Sequence, residues 1–397
     1  MNQETRQSMY DILTTINEAL LYLQQNDQEE LRQAVALGRS RVTAGLEQEL
    51  ECSLEHRINI SALSDEDWFR TVSIILSQID NPFQPQNVFD QDFLTFLNYV
   101  WICSRQDLIK AMQQKLAVLK SNSKESYQDF VQYFSRFPLW GTLNPEKGDY
   151  QTLELRADVL KQHSYDFLWL YCRLEDYFSR RTLLAILLNW ATLDTNLLSS
   201  VKSIFPDYWE PDIFPNNKDD ILVDVGAFTG DSIAQYVQVY GTDYHKIYAY
   251  EITAENCEKI QENTVSLHDV ILRHKGAGAT NGTMYLKKNK DSSANQLSDA
   301  QLQGQEVEIV PLDEDIQETV TFIKMDIEGA EQDALIGCQN IIRSQHPKLA
   351  ICTYHGYEDI WKIPLMIDAL YPGYQFYLRH YGGNLIPTEF VLLCKPE

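Results

Sequence analysis

The chain has 397 residues, of which 44% are hydrophobic, 11% aromatic and 23% charged. This length predicts two or three domains, and the composition is that of a globular protein rather than a disordered one. The 33 Lys and Arg residues against 57 Asp and Glu residues give a net charge of -24. That charge argues against a broad surface for nucleic acid or anionic lipid, because both need cationic groups, but it still allows a local basic pocket.

The cysteines and the N-terminus indicate the cellular compartment. Seven cysteines are scattered along the chain without a Cys-x-x-Cys pair, so neither a disulfide framework nor a zinc ribbon is expected. The first residues are polar and lack the basic and apolar regions of a secretory signal. The longest apolar stretches, such as 183–190, are too short to span a bilayer. We therefore expect a cytoplasmic protein with no transmembrane segment and no nucleic-acid partner.

Residues 1–200 have the apolar spacing of helices. Apolar side chains recur at helical intervals in 9–23, 31–46, 93–103, 108–119, 165–177 and 181–193. One exception is 140–148, where Gly, Asn and Pro predict a turn or a small hairpin. We predict a mainly α-helical N-terminal domain over 1–200, followed by a Pro-containing linker over 201–218. The first two helices could form a homodimer, or their apolar faces could pack on the same chain.

Residues 219–397 have a different pattern, in which helices alternate with short apolar strands. The strands are predicted at 221–225, 246–250, 270–272, 320–325 and 349–352. This alternation predicts an α/β domain with a mostly parallel sheet and helices on both faces. The last two strands, 375–378 and 390–393, have no helix between them and should be antiparallel.

The first of these strands leads into a glycine turn. An acid precedes two glycines that are three residues apart, and a helix begins directly afterwards; the segment is Asp224, Val225, Gly226, Ala227, Phe228, Thr229, Gly230 and Asp231. Glycine lets a ligand approach the backbone, and the helix N-terminus offers free N–H groups. The spacing is not the GxGxxG of a pyrophosphate turn, and a carboxylate suits the cationic end of S-adenosylmethionine (SAM). The turn therefore predicts SAM binding, with another Rossmann-like nucleotide module as the alternative.

The next two strand ends support this interpretation. Glu251 closes the second strand, where an acid can accept hydrogen bonds from both ribose hydroxyls. The third strand leads into Lys275, Gly276, Ala277 and Gly278, whose small residues could leave room for the adenine. A plain loop is the alternative for this segment. The carboxyl ends of parallel strands meet at one edge of the sheet, where ligands bind.

Ionisable residues follow the fourth, fifth and sixth strands. Lys324, Asp326 and Glu328 are costly to bury unless they pair or bind a ligand, so we expect them at the cofactor or the acceptor. The alternative is a Lys324–Asp326 ion pair, with Glu328 and Glu331 serving the next helix N-terminus. His355 and His380 lie at neighbouring strand ends and are candidate general bases. Either histidine could instead join Asp326 or Glu328 in binding a divalent metal, although we predict no metal ligands.

Two further residues are candidates for substrate binding. Arg379 could hold a carboxylate or phosphate of the substrate, or it could form a structural ion pair. Ser293 could line the substrate cleft, or it could belong to a solvated polar loop.

Residues 219–395 resemble the FkbM-type SAM-dependent methyltransferases. The resemblance rests on 223–231 and on 322–331 (Phe-Ile-Lys-Met-Asp-Ile-Glu-Gly-Ala-Glu), the more specific segment. It implies a class I methyltransferase fold, SAM as cofactor and, usually, O-methylation of a hydroxyl. It also implies that Asp224, Gly226, Gly230 and Glu251 lie at cofactor positions and that Asp326 is the acid near the methyl donor.

Shorter segments of the chain are similar to a subgroup of this family that is found in bacterial surface-polysaccharide loci. They are 354–355, 358–364, 378–381 and, more weakly, 176–180. The helical first half lies outside the family's common core.

Taken together, the sequence predicts a SAM-dependent O-methyltransferase that acts on a saccharide or a glycan precursor. Such an enzyme aligns the acceptor oxygen at about 3 Å from the methyl group. His355 or His380 would act as the base, and Asp326 would orient that base or the acceptor. The helical half would recognise the acceptor, cover the site or form a dimer. The alternatives are a non-catalytic scaffold that keeps the SAM fold, and a nucleotide-dependent oxidoreductase, which would need a pyrophosphate turn that the chain lacks.

Overall fold

The computed structural model describes residues 29–50, 85–194, 196–287, 296–298 and 305–397, together with Ile12, Trp68, Val72 and Phe83. Apart from Ile12, the helix predicted at 9–23 therefore lies outside the described residues. The chain forms two compact units, residues 1–104 and residues 105–397.

In the first unit the structure describes two long helices, α1 (Glu29–Leu50) and α2 (Val88–Ile102). The indole of Trp68 donates a hydrogen bond of 2.7 Å to the hydroxyl of Thr43 on α1. Asn87 caps α2, because its side-chain oxygen accepts two backbone N–H groups of the first turn. The apolar spacing at 31–46 therefore corresponds to a helix, as expected.

The second unit begins with helices that precede the sheet. They are α3 (Arg105–Asn122), α4 (Lys124–Arg136), α5 (Gln151–Gln162), α6 (Ser164–Arg173), α7 (Tyr177–Thr192) and the single turn α8 (Asn196–Ser199). A turn closed by a backbone pair between Asn144 and Asp149 separates α4 from α5. These helices belong to the same compact unit as the sheet, so the structure divides the chain near Ser104. The domain boundaries at 1–200, 201–218 and 219–397 stay a prediction.

The rest of this unit alternates strands and helices. The strands are β1 (Ile221–Val225), β2 (Lys246–Tyr250), β3 (Val270–Arg273), β4 (Gly276–Ala277), β5 (Gly282–Lys287), β6 (Gln296–Ser298), β7 (Glu306–Val310), β8 (Phe322–Met325), β9 (Lys348–Cys352), β10 (Tyr374–His380) and β11 (Phe390–Pro396). The helices are α9 (Asp231–Tyr240), α10 (Ala254–Asn263), α11 (Leu312–Asp315), α12 (Glu331–Gly337), α13 (Gln339–Gln345) and α14 (Asp359–Leu370). Among the helices that the structure describes, none is long and apolar enough to cross a bilayer.

In the described residues, the main sheet has seven strands in the order β3-β2-β1-β8-β9-β11-β10. Strands β3, β2, β1, β8 and β9 are parallel, and β11 is antiparallel to both of its neighbours. Every residue of β1 and of β8 is buried, as expected for central strands with helices on both faces. The predicted class I methyltransferase fold, with a mostly parallel seven-stranded sheet and an antiparallel last strand, is confirmed.

A second, smaller sheet in the order β4-β7-β5-β6 was not predicted. Strand β7 pairs with both β4 and β5, which brings residues separated by a long loop next to each other. Its exposed and buried residues alternate, and Val307 and Ile309 pack against Leu286 in a small apolar core of their own. This sheet supplies one wall of the cavity described below.

The segment predicted as a linker, 201–218, packs against the main sheet. Trp209 is fully buried, and its indole donates to the carbonyl of Ser232 at 3.1 Å. The rings of Trp209 and Phe214 both pack on Phe322 of β8, at centroid distances of 5.4 and 5.0 Å. In the structure this segment is therefore part of the core of the second unit.

The helices before the sheet are attached to it through the edge strand β10. Arg379 of β10 donates to both carboxylate oxygens of Asp176 and, at 2.7 Å, to the hydroxyl of Ser179. Asp176 is also the N-cap of α7, since its side chain accepts the backbone N–H of Ser179. One buried guanidinium thus holds the start of α7 against the sheet.

We predict that Asp176→Asn destabilises the protein at neutral pH and much less in acid. Burial would raise the pKa of Asp176, but its bonds to Arg379 and Ser179 outweigh burial and lower that pKa. A lowered pKa contributes stability that is present above the ordinary value of about 3.9 and is lost as the pH falls through the folded value. Urea unfolding should show a loss of about 1–2 kcal/mol at pH 7.

The loss in unfolding free energy should become smaller when the urea titration is repeated at lower pH, down to pH 3.5. Asp129→Asn, an exposed acid on α4, is the control and should match the wild-type protein at each pH. A loss in Asp176→Asn that is equal at every pH would contradict the role of the Arg379 pair.

Candidate active site

A cavity of about 880 Å³ lies at the carboxyl ends of β1, β2, β8 and β9. This is the edge where an open parallel sheet binds its ligands, and the volume is that of a small-molecule site. Eight of the residues predicted from the sequence line it: Gly226, Phe228, Glu251, Gly276, Ala277, Asp326, Glu328 and His355.

The glycine turn after β1 forms one end of this cavity. The backbone N–H groups of Gly226 and Ala227 both donate to the carbonyl of Tyr250 at 3.0 Å. Gly226 has a φ of +82°, and a Cβ at this position would lie 1.9 Å from the carbonyl oxygen of Asp326. Only glycine allows the turn to approach the end of β8 this closely. Phe228 also has a positive φ, +49°, which marks a strained backbone at a ligand-binding turn.

Asp224 and Lys324 hold this turn from beneath. Lys324 Nζ lies 3.0 Å from Asp224 Oδ1 and donates to the Gly226 carbonyl at 2.8 Å. Ser232 donates a short hydrogen bond to the other oxygen of Asp224. Burial would lower the pKa of Lys324, but the charges of Asp224 and Asp326 raise it above its ordinary value. Neither Asp224 nor Lys324 lines the cavity, so the pair shapes the site without facing it.

Glu251 lies in the cavity wall at the end of β2. Its carboxylate accepts the backbone N–H of Thr253 at 2.7 Å and that of Phe228 at 3.0 Å. Burial raises the pKa of Glu251, while these hydrogen bonds act to lower it. The carboxylate is thus held at a defined position beside the glycine turn.

The loop after β3 and the smaller sheet line the cavity next to Glu251. Lys275, Gly276, Ala277 and Gly278 all contribute to the wall, as do Met284 and Ile309 of the smaller sheet. Lys275 is itself paired with Asp315 and Glu308, each at 3.0 Å. The side chains of this part of the wall are therefore mostly small or apolar, and the ammonium group of Lys275 is already paired with acids.

His355 and three acids form a cluster beyond the ends of β8 and β9, which we call the acid–histidine cluster (Asp326, Glu328, Glu331 and His355). The Asp326 carbonyl of this cluster lies against the glycine turn. His355 Nε2 lies 3.4 Å from Asp326 Oδ1 and 3.9 Å from Glu328 Oε2. His355 Nδ1 lies 2.9 Å from Glu331 Oε1. Glu331 also accepts the backbone N–H groups of Ile327 and Gly329, so it is fixed by its own loop.

The charges of this cluster influence each other strongly. Burial would lower the pKa of His355, but Glu331, Asp326 and Glu328 raise it to about 10. Burial and the neighbouring acids raise the pKa of Glu328 to about 8. Burial alone would raise the pKa of Asp326, but the charges of His355 and Lys324 lower it overall. The cluster thus has more carboxylates than cations and favours positive charge.

Tyr208 is a residue of this site that the sequence did not reveal. Its hydroxyl donates a 2.6 Å hydrogen bond to Asp326 Oδ2. It has a φ of +71°, which is unusual for a residue with a bulky side chain. Tyr208 lies in the segment predicted as a linker, and its aromatic neighbours were the only signal in the sequence that this segment is buried.

Side chains from the helices before the sheet complete the wall near the acid–histidine cluster. The cavity is lined here by Leu139, Leu155, Val159 and His163, together with Tyr357 and Trp361, which follow β9 in the chain. The rings of His163 and Trp361 stack at a centroid distance of 4.1 Å. Trp140 donates from its indole to the carbonyl of His355 at 3.0 Å. The helical region therefore takes part in the site, and no local pattern in the sequence indicates these positions.

Other predicted residues do not line the cavity. Ala227, Thr229, Gly230 and Asp231 belong to the turn and the start of α9 but are not among the residues that line the cavity. Arg379 is committed to Asp176 and Ser179, which matches the structural alternative considered for it. His380 is fully buried on β10, away from the cavity wall, and burial lowers its pKa. Ser293 lies outside the described residues.

We predict that Gly226→Ala disrupts the site. The added Cβ would clash with the Asp326 carbonyl and force an alanine to a φ of +82°. The loss in unfolding free energy should be about 2–4 kcal/mol, and the turn should lose its shape. Urea unfolding measures the first effect and calorimetric titration with SAM the second. Gly383→Ala is the control, since a Cβ there meets no atom within 4 Å; equal results for the two variants would refute the prediction.

Comparisons with known proteins agree with this fold. Residues 224–381 match the family model of the methyltransferase FkbM domain. The search of curated proteins found no match. The methyltransferase FkbM from Methylobacillus flagellatus KT is a similar solved structure, with a TM-score of 0.52 and 24% sequence identity. The match covers 62% of this chain and 63% of that one, so it spans less than two thirds of that protein's length.

Fibrillarin from Aeropyrum pernix, solved with natively bound S-adenosyl-L-methionine, is a more distant match. It has a TM-score of 0.31 and 11% identity, and the match covers 55% of this chain and 76% of that one. The domain match includes the glycine turn and the acid–histidine cluster. Residues 224–381 are therefore similar to the methyltransferase FkbM domain.

Proposed function

We propose that this protein is a SAM-dependent methyltransferase that methylates a hydroxyl of a saccharide or a glycan precursor. One observation carries the proposal. The glycine turn and Glu251 line the same cavity of about 880 Å³ as Asp326, Glu328 and His355 of the acid–histidine cluster. That arrangement provides room for a nucleoside cofactor next to a polar site for an acceptor.

The residues around Glu251 and the glycine turn fit SAM. Glu251 presents a fixed carboxylate that can accept hydrogen bonds from the two ribose hydroxyls. The small apolar wall at Gly276 and Ala277 suits an adenine. Asp224 is taken up by Lys324, so its contribution is to hold the turn in shape rather than to contact the cofactor's amino group. The acids of the acid–histidine cluster outnumber its one histidine, and this excess favours the positive charge of a sulfonium.

SAM supplies a methyl group whose bond to sulfur breaks, with the electron pair left on sulfur, as the acceptor oxygen bonds to the carbon. The protein has to align that oxygen and receive its proton. Asp326 and Glu328 are the cavity carboxylates closest to His355, and Tyr208 fixes the orientation of Asp326. When no cation is bound, the neighbouring acids raise the pKa of His355 to about 10, so the imidazolium positions these acids rather than taking a proton directly.

The acceptor end of the cavity favours a neutral, polyhydroxylated molecule. Acids and an amide that can accept or exchange hydrogen bonds line it: Gln332, Asp333, Glu358 and Asp359. Trp361 and Tyr357 add aromatic surface for an apolar face of a sugar ring. Within the described residues, no arginine lines the cavity and its lysine is already paired, so an anionic acceptor would find no free cation there.

We also propose, on the sequence alone, a cytoplasmic location and a homodimer through the N-terminal helices. The structure describes only α1 of the two helices on which the dimer prediction depends.

We predict that Glu251→Gln weakens SAM binding by about 10- to 100-fold, because charged hydrogen bonds to the ribose are replaced by weaker neutral ones. Isothermal titration with SAM measures the change. Glu258→Gln, an exposed acid on α10, is the control and should bind like the wild type. Failure of the wild-type protein to bind SAM would instead favour a non-catalytic scaffold.

The acceptor class is tested with SAM that carries a radiolabelled methyl group. We expect the label to be transferred to neutral oligosaccharides at least 10-fold faster than to the same sugars bearing a phosphate, because the acceptor end is acidic. Mass spectrometry then locates the methyl group on oxygen or elsewhere. Preferential labelling of the phosphorylated sugars would contradict a neutral acceptor, and labelling of nitrogen would contradict O-methylation.

A further inference from the structure

We propose that Asp326, Glu328 and His355 bind a divalent cation of the Mg²⁺ or Mn²⁺ type at the acceptor end of the cavity. Glu331 acts as the residue that orients the imidazole. The binding site stands on the geometry of the described residues alone, whereas its role in catalysis rests on the proposed function.

Two carboxylate oxygens lie close to the outer ring nitrogen of His355. His355 Nε2 lies 3.4 Å from Asp326 Oδ1 and 3.9 Å from Glu328 Oε2, and all three residues line the cavity. Ligand atoms bound to the same ion at about 2.1 Å are roughly 3–4 Å apart. An ion next to Nε2 could therefore bind both carboxylates once their side chains rotate, with its remaining positions open to the cavity.

Glu331 completes the arrangement that metal-bound histidines usually have. Its Oε1 lies 2.9 Å from His355 Nδ1, and its own position is fixed by the backbone N–H groups of Ile327 and Gly329. A carboxylate on one ring nitrogen holds the imidazole in place and directs the other nitrogen at the metal. Asp326, Glu331 and His355 offer ligand atoms that all lie within 4.8 Å of one another.

A second observation points to a ligand at this position. His355 is only 6% exposed and its Nδ1 faces Glu331, yet its Nε2 has no aligned hydrogen-bond partner in the described part of the chain. The same is true of Asp326 Oδ1. Buried polar atoms without a partner are rare in folded proteins. Here the unpartnered atoms of two residues face each other across the proposed ion position, which accounts for both.

The donor set indicates the kind of metal. The two carboxylates suit Mg²⁺ or Mn²⁺, the imidazole favours Mn²⁺ of these two, and no cysteine is among the described residues that line the cavity. The nearest lysine on the same strand, Lys324, is already paired with Asp224. The negative charge of the cluster is therefore left for a cation other than a side chain of this chain.

An ion at this position would act on the acceptor hydroxyl of the proposed reaction. Its open coordination positions face the cavity, so a hydroxyl oxygen could bind to it and be held in line with the methyl group. A bound cation also lowers the pKa of a hydroxyl that it coordinates, which makes the oxygen a better nucleophile.

The test is a titration of the full, chelator-treated chain with MnCl₂, followed by the EPR signal of free Mn²⁺. We expect one site in the described cavity, with binding weakened at least 10-fold in His355→Gln and in Glu328→Gln. Glu331→Gln should weaken it by about 10- to 100-fold through loss of the orienting carboxylate. Asp333→Asn removes another acid of the cavity wall and should bind Mn²⁺ like the wild type.

Thermal unfolding of each variant shows whether it has folded, and Glu328→Gln provides a second ligand variant if His355→Gln has not. Mn²⁺ binding that is absent in the wild type, or unchanged in both ligand variants, would overturn the proposal. SAM titration in EDTA keeps the two proposals apart. SAM binding without Mn²⁺ binding would leave the methyltransferase intact and remove the metal, whereas loss of both would remove the methyltransferase as well.

Discussion

The buried ion pair between Asp224 and Lys324 is the interaction on which the site depends. The two residues are register partners on the adjacent parallel strands β1 and β8. Removing such charges from water is costly, and the cost is offset here by a close contact, a hydrogen bond from Ser232 and a bond from Lys324 to the Gly226 carbonyl. The pair thus connects the strand that leads into the glycine turn to the strand that ends at the acid–histidine cluster.

Lys324 and Asp326, which carry opposite charges near the end of β8, lie in different surroundings. Lys324 lies within the strand and pairs beneath the turn, whereas Asp326 lies just beyond the end of β8 and faces the cavity. Glu328 follows with a φ of +57°, so the regular alternation of a strand no longer applies to it. Around His355 the acids outnumber the cations, and this excess of negative charge makes the acid–histidine cluster a favourable place for positive charge. The same imbalance underlies both the sulfonium and the metal proposals.

The helices before the sheet show how much of a site a local pattern can reveal. Their apolar spacing correctly indicated helices, because a helix that packs on one face repeats that face every three to four residues. The spacing does not say which face meets which partner. Leu155 and His163 line the cavity, and Trp140 bonds the backbone of His355, more than 200 residues away in the chain. The smaller sheet was missed for a related reason, since β4 and β5 are joined through β7 rather than to each other.

By itself, the sequence determined the alternation of strands and helices in the main sheet, the glycine turn at Gly226, and the positions of Glu251 and Asp326 in the cavity. These follow from short segments and from the rule that the ends of parallel strands meet at one edge. Only the tertiary structure placed His355 rather than His380 in the cavity wall, Arg379 in a structural cluster with Asp176, and Tyr208 next to Asp326. Each of these depends on contacts between residues that are distant in the chain. Such contacts are set by the packing of whole elements, and no local spacing of residue types specifies them.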